Sequence, residues 1–183
     1  MILVSPSTQQ TLLPHSSCVV LASWQVSVSF ERQSGALNIR YVLPASGLCL
    51  PLLPNVNASA RADGLWKKTC AELFVAVAGT KAYREFNFSA GGDWAAYDFV
   101  DYRTPARDLA QVVAPKISCG FVEDGCYIDV QIDAKDLPDS DSAQFGASVV
   151  LESEDGNLSY WAAFHPCAKP DFHHRDGFVL TLI

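Results

Sequence analysis

Carboxylate and amide side chains on otherwise apolar strands are the residues of this sequence best placed to do chemistry. Across positions 68–77, Cys70, Glu72, Phe74 and Ala76 alternate with Leu73, Val75 and Val77. Across 83–89, Tyr83, Glu85, Asn87 and Ser89 alternate with Arg84, Phe86 and Phe88. Side chains two apart along a strand share a face. If the chain turns at Gly79 to pair these segments, Glu72 and some of Tyr83, Glu85 and Asn87 line one surface. A concave face carrying carboxylate, amide and aromatic groups suits a sugar, whose hydroxyls take polar partners and whose C–H faces take rings. The competing reading is the solvated face of an antiparallel sheet.

Four tryptophans carry a similar double reading. Trp24 lies on the apolar face of its segment and reads as core. Trp66, Trp94 and Trp161 sit near turns or on mixed faces, where a ring can stack on a ligand or act as a lid over a core. The densest polar cluster is His165-Pro-Cys-Ala-Lys-Pro-Asp-Phe-His-His174. His165, Cys167, His173 and His174 are each capable of holding a metal, but their spacing matches no common zinc pattern, so no metal is expected. In the same cluster Asp171 could orient a histidine and Lys169 could meet an anionic group, while the two prolines also read as simple conformational punctuation. No G-x-S-x-G, phosphate-binding glycine loop or Cys–His nucleophile signature occurs, and the protein is expected not to be an enzyme.

The elements that must position these residues are short alternating strands. Trp24, Val26, Val28 and Phe30 alternate with Gln25, Ser27 and Ser29, and a turn at Gln33-Ser34-Gly35 leads into 37–43. Residues 44–62 read as a long loop. Strands follow over 65–77, 83–89 and 94–99, and the stretch 106–113 suggests one or two helical turns. Glu123-Asp124-Gly125 joins 117–121 to 126–132, Glu154-Asp155-Gly156 joins 145–152 to 158–165, and 178–182 closes the chain. Asp-Gly between alternating apolar runs is a strong hairpin signal. About ten such strands predict an all-β, antiparallel two-sheet sandwich, with an N-terminal arm at 1–18 and one domain over 19–183.

Composition bounds the function. A hydrophobic fraction of 49% with 18% charged residues is that of a globular chain. The net charge of −7, with 13 scattered basic residues, argues against nucleic acid and against anionic membranes as partners. No apolar run approaches the roughly 18 residues of a membrane span. The first residues lack the basic start of a secretory signal, so a cytoplasmic protein is expected and the sequons at Asn57, Asn87 and Asn157 are read as chance matches. The six cysteines show no C-x-x-C and read as free, buried thiols. Oligomeric state is left open.

Several strings together resemble a known family. They are Asp63-Gly-Leu-Trp-Lys-Lys-Thr-Cys-Ala-Glu-Leu-Phe74, Tyr83-Arg-Glu-Phe-Asn-Phe-Ser89, Gly92-Asp-Trp-Ala-Ala-Tyr97, Leu158-Ser-Tyr-Trp-Ala-Ala-Phe-His-Pro166 and Lys169-Pro-Asp-Phe-His173. In this order, over about residues 20–183, they resemble DOMON-like domains of the family-nine carbohydrate-binding-module type. The resemblance implies a sandwich of about ten strands that binds a saccharide or sugar-derived metabolite, or in other branches haem. It carries the polar role onto Glu72, Glu85 and Asn87 and the aromatic role onto Trp66, Trp94 and Trp161. The loop calcium of some members finds no matched ligands here. Met–His haem ligation is set aside because Met1 is the only methionine, while a site using His165 or His173 stays open. The expected function is a non-catalytic ligand-binding module without cofactor, with a haem-binding redox domain or a protein-interaction scaffold as alternatives.

Overall fold

The computed structural model describes residues 2–4, 9–33, 35–44, 46–50, 60–107, 110–123, 125–138 and 142–182. These residues form strands β1 (Ile2–Val4), β2 (Gln9–Pro14), β3 (Val26–Gln33), β4 (Ala36–Pro44), β5 (Cys70–Val77), β6 (Tyr83–Ser89) and β7 (Trp94–Asp101). They continue with β8 (Thr104–Pro105), β9 (Lys116–Val122), β10 (Gly125–Asp133), β11 (Ala143–Glu152), β12 (Leu158–Ala162) and β13 (Leu180–Leu182). Every pairing is antiparallel except β1 with β13.

The strands follow one hydrogen-bonded path, β8-β7-β6-β5-β11-β12-β2-β3-β4-β10-β9, with β13 on β11. Two sheets were expected, and in the structure the strands are joined along this one path. Strand β2 pairs with β12 through Leu13 and Pro14 and with β3 through Gln9 to Leu12, so it bridges the two limbs. Within residues 1–18, expected as an N-terminal arm, Leu12 of β2 is buried in the core and β1 pairs with β13. The β2 pattern of exposed and buried residues, with Gln9, Gln10 and Thr11 before Leu12, is too short to register as an alternating strand.

The limbs share one core. Val28, Phe30, Ile39, Tyr41, Ile128 and Val130 from β3, β4 and β10 are buried in one cluster with Leu73, Val75, Phe86, Phe88, Phe145 and Val149 from β5, β6 and β11. The Tyr41 hydroxyl donates to the Glu72 carbonyl oxygen at 2.8 Å, a polar strap between limbs. Burial of these alternating apolar faces is the main force holding the fold.

Strand β5 is buried on both sides. Leu73 and Val75 face the shared core, while Phe74 and Ala76 join Tyr83 and Phe178 in a second cluster, against which Phe99 and Phe172 pack. The segment after β12 therefore covers part of the outer face of β5, β6 and β7. Gly79, at φ +79, makes the β5–β6 turn in a conformation that side-chain-bearing residues avoid.

Other expectations shift locally. Leu65–Lys67 is a 3₁₀ turn ahead of β5, not the start of the strand. The described residues between 106 and 113 are not helical. Of the expected loop over 44–62, Leu48 bridges to Ser153 and Arg61 to Trp94, while 51–59 lie outside the described residues. All six cysteines are free, but only Cys70 and Cys126 are buried, and Cys49 is exposed.

Candidate functional site

The register across the outer face of one limb brings the polar residues together. Glu72 pairs with Asn87 and with Ser148, while Glu85 pairs with Phe74 and with Tyr97. Two adjacent rows thus run Ser148, Glu72, Asn87 and Phe74, Glu85, Tyr97. Glu72 is 3% exposed, Glu85 5% and Asn87 0%. Asn87 Nδ2 donates to Glu85 Oε1 at 2.7 Å, and Ser148 Oγ donates to Glu72 Oε2 at 3.4 Å. Both carboxyls line a cavity of about 470 Å³.

Burial governs the charge of this floor. It raises the Glu72 carboxyl well above the ordinary carboxylate range, and the nearby Glu85 charge adds to the effect. Glu85 is pushed up to about 7 by burial, against the opposing pull of its Asn87 hydrogen bond and of Arg103. Near neutral pH the pair therefore carries less than two charges, and its protons belong to the pair. A protonated carboxyl both donates and accepts, so the floor can address neutral hydroxyl groups in either sense.

His173 forms one wall. Burial first, and then the Arg103 charge, lowers its ring to about 4, although Asp171 opposes this. The ring is accordingly neutral at pH 7, and the 3.7 Å separation of its Nε2 from Glu85 Oε2 is not an ion pair. Arg103 N–H donates to the Tyr83 hydroxyl oxygen at 3.1 Å, and that hydroxyl lies 2.8 Å from His173 Nδ1. When the Tyr83 hydroxyl donates to an unprotonated Nδ1, the neutral ring carries its N–H at Nε2, toward Glu85.

A charged clamp holds the loop that carries His173. Arg103 Nη2 donates to Asp171 Oδ1 at 2.8 Å, Tyr102 Oη donates to Asp171 Oδ2 at 2.6 Å, and His173 N–H donates to Asp171 Oδ1 at 3.2 Å. Despite burial, which acts the other way, the Tyr102 and Arg103 hydrogen bonds hold the Asp171 carboxyl below its ordinary range. Arg103 sits in the tight β7–β8 turn at φ +49, the one described non-glycine residue with positive φ. That conformation costs an arginine about 1 kcal/mol. It is held here by the Arg103 contacts to Asp171 and Tyr83, which place its guanidinium at the cavity.

Aromatic rings complete the lining. Trp66, on the 3₁₀ turn, is 42% exposed and packs edge-on to Tyr97 with centroids 5.9 Å apart. Tyr97 Oη donates to Asp63 Oδ1 at 2.7 Å. Tyr160 meets Phe172 edge-on at 6.1 Å, and Phe99 meets His173 at 5.0 Å. The cavity thus joins a buried polar floor to walls of π-faces.

The residues singled out from sequence divide into three groups. Trp66, Glu72, Glu85 and His173 line the cavity. Asn87 and Asp171 stand one contact behind, supporting Glu85 and Arg103. The other four lie elsewhere. Trp94 is 6% and Trp161 2% exposed, both within the shared core, with Trp161 Nε1 donating to Ser159 Oγ; their strand parity turns them away from the Glu72 face. His165 bonds the Leu13 carbonyl at 2.9 Å through Nε2, and Lys169 is exposed. Sequence reasoning missed Tyr97, Phe99, Arg103, Tyr160 and Phe172 among the lining residues. Tyr97, Tyr160 and Phe172 stand inside the quoted motif strings, and alternation from Trp94 would have put Tyr97 on the face opposite that ring; Arg103 left no signal.

Among the described residues no three His, Cys, Asp or Glu side chains are grouped to hold a metal ion. A wider cleft of about 830 Å³ lies on the outer face of β3, β4, β10 and β9. Four of its polar groups satisfy one another, Arg40 gripping Asp129 through two bonds of 2.6 and 2.7 Å and Gln131 donating to Asn38 at 2.9 Å. Chemistry, not volume, therefore favours the smaller cavity.

Comparison with solved structures places the fold. A candidate carbohydrate-binding protein from Bacteroides uniformis superposes with a TM-score of 0.65 at 13% identity, over 96% of this chain and 86% of that one. A family 9 carbohydrate-binding module from Caldicellulosiruptor kristjanssonii in complex with cellotriose gives 0.61 at 10% identity, over 99% and 92%. The module of the same name in complex with glucose gives 0.60 at 11%, over 100% and 95%. No protein-family model matches the chain, and no curated protein matches it. The chain has the antiparallel all-β fold of these carbohydrate-binding modules.

Proposed function

We propose that the protein is a non-catalytic module that binds a saccharide or a sugar-derived metabolite in the cavity over Glu72 and Glu85. The observation that carries the reading is the pairing of a buried polar floor of partly protonated carboxyls with the rings of Trp66, Tyr97, Tyr160 and Phe172. A neutral polyol offers hydroxyls to the floor and C–H faces to the rings. A floor of partly protonated carboxyls disfavours an anion less than carboxylates do, yet gives it no cationic anchor beyond Arg103, which Asp171 already holds. The likeness of the fold to modules seen with cellotriose and with glucose supports the same ligand class. Within this reading the two limbs act as the sheets of a DOMON-like sandwich, and the site occupies the outer face of one of them. A cytoplasmic location, the expectation drawn from the sequence, would go with a soluble saccharide as the ligand.

Calorimetric titration with a panel of mono- and oligosaccharides tests the proposal, with Glu72→Gln as the control. The expected result is binding by the wild type and weakened binding by the variant. Silence across the panel at millimolar concentration, with folded protein, overturns it.

A further inference from the structure

Two oxygens on the floor of the cavity have no partner among the described residues. Glu85 Oε1 takes the Asn87 amide, and Glu72 Oε2 takes the Ser148 hydroxyl. Glu72 Oε1 accepts no hydrogen bond from those residues, and Glu85 Oε2 stands 3.7 Å from His173 Nε2, beyond hydrogen-bond reach. Neither oxygen is sealed in, because the one sealed and unpaired side-chain atom among those residues is Trp24 Nε1. Both therefore open into the cavity that Glu72 and Glu85 line. The two carboxyls lie close enough for the Glu85 charge to act on Glu72.

What this floor lacks is a cation. Buried carboxylates are ordinarily paired with a positive group or hold their proton. Arg103 is, among the described residues, the one cation lining the cavity, and Asp171 already holds it at 2.8 Å. The His173 ring is neutral at pH 7. At the rim, the partner of Tyr97 is a further acid, Asp63. Glu85, pushed up to about 7, is close to half ionised at neutral pH, so little proton loss is needed before it meets a positive group. An ammonium brings more donors than a hydroxyl to the two open oxygens. The rings of Tyr97, Tyr160 and Phe172 around them attract a cation through their π-faces.

We infer that the cavity selects an amino sugar with a free, protonated amine, whose ammonium lies between Glu72 Oε1 and Glu85 Oε2 and whose ring lies against the aromatic walls. The inference rests on the saccharide reading of this cavity and narrows it to the cationic sugars. Neutral sugars still fit, through hydroxyls alone. An N-acetylated sugar carries no charge and loses the advantage.

Calorimetric titration of the full chain at pH 7 tests it with glucosamine, glucose and N-acetylglucosamine. Galactosamine, galactose and N-acetylgalactosamine run in parallel, and ethanolamine serves as an amine without a ring. In the preferred series the amine should bind at least about tenfold more tightly than its neutral parent, the worth of one charge-assisted hydrogen bond. The N-acetyl form should bind no more tightly than the parent, and ethanolamine at least about tenfold more weakly than the amino sugar. In Glu85→Gln, which keeps the side-chain shape and the acceptor for Asn87, the ratio of amine to parent affinity should fall to about one. An amine that binds no better than its parent overturns the inference and leaves the saccharide reading intact, as does a preference that survives in Glu85→Gln. Ethanolamine binding as tightly as the amino sugar also overturns it, by showing a site for amines alone. Failure of every sugar to bind, with folded protein, overturns the saccharide reading and this inference with it.

Discussion

Replacing Glu85 by glutamine isolates the electrostatics of the cavity floor. Burial moves this carboxyl from 4.5 to about 7, whereas the unfolded chain restores the ordinary value. Between those two values the folded protein holds more protons than the unfolded chain. The group's contribution to stability is therefore intact below pH 4.5, declines as pH rises and is lost above about 7. The full loss corresponds to about 3 kcal/mol. Glutamine keeps the shape and the Oε1 acceptor for the 2.7 Å bond from Asn87, and carries no charge to desolvate. Glu85→Gln should thus lie within about 1 kcal/mol of the wild type near pH 5 and exceed it by up to about 3 kcal/mol at pH 8, raising the melting point by roughly 6–12 °C in a chain of this size. His173 acts with the opposite sign, since a ring lowered from 6.5 to about 4 costs stability as pH falls through that window. Burial and Arg103, the causes of that lowering, persist in the variant, so the His173 contribution cancels in the difference, whereas Glu72, relieved of the Glu85 charge that helps to raise it, adds to the gain with the same sign. Urea denaturation of both proteins from pH 4.5 to 8, taken as a difference at each pH, is the assay. A difference that does not grow with pH refutes the buried-carboxyl argument, and a variant less stable than the wild type at pH 8 shows that the fold requires the carboxylate.

Three other outcomes follow from the same geometry. Trp66→Ala should weaken saccharide binding about tenfold by titration while changing stability by no more than about 0.5 kcal/mol, because the ring is 42% exposed and packs on Tyr97 alone among the aromatics. Trp161→Ala should instead cost about 3–5 kcal/mol in denaturation, with the affinity of the folded fraction retained, since that ring is 2% exposed in the shared core. Arg103→Gly relieves the positive-φ backbone but frees Asp171; melting should change little, whereas amide exchange at 171–173 should quicken and affinity fall about threefold or more. Unchanged exchange there would show that the clamp does not hold the loop.

Much of the fold was legible along the chain because a half-buried strand repeats every two residues and a hairpin needs only a local turn. Val26, Val28 and Phe30 on β3, or Cys126, Ile128, Val130 and Ile132 on β10, declare their faces through alternation, and the Glu72–Asn87 pairing follows once Gly79 is taken as the turn. The tryptophans were harder to place. Trp66, Trp94 and Trp161 share a residue type and a proximity to turns, but which face each occupies depends on register, and register buries two of them in the core.

Sequence by itself thus determined the antiparallel strands and the shared face of Glu72, Glu85 and Asn87, because both depend on spacing within one hairpin. Only the tertiary structure decided that β2 bridges the limbs, that Arg103 reaches across 68 positions to Asp171, and that Tyr160 and Phe172 join Trp66 around the floor. Those contacts join segments far apart in the chain, where no local period or turn chemistry records which residues will meet. The same long-range packing raises the two buried carboxyls, since burial depends on what covers a side chain and not on its neighbours in sequence.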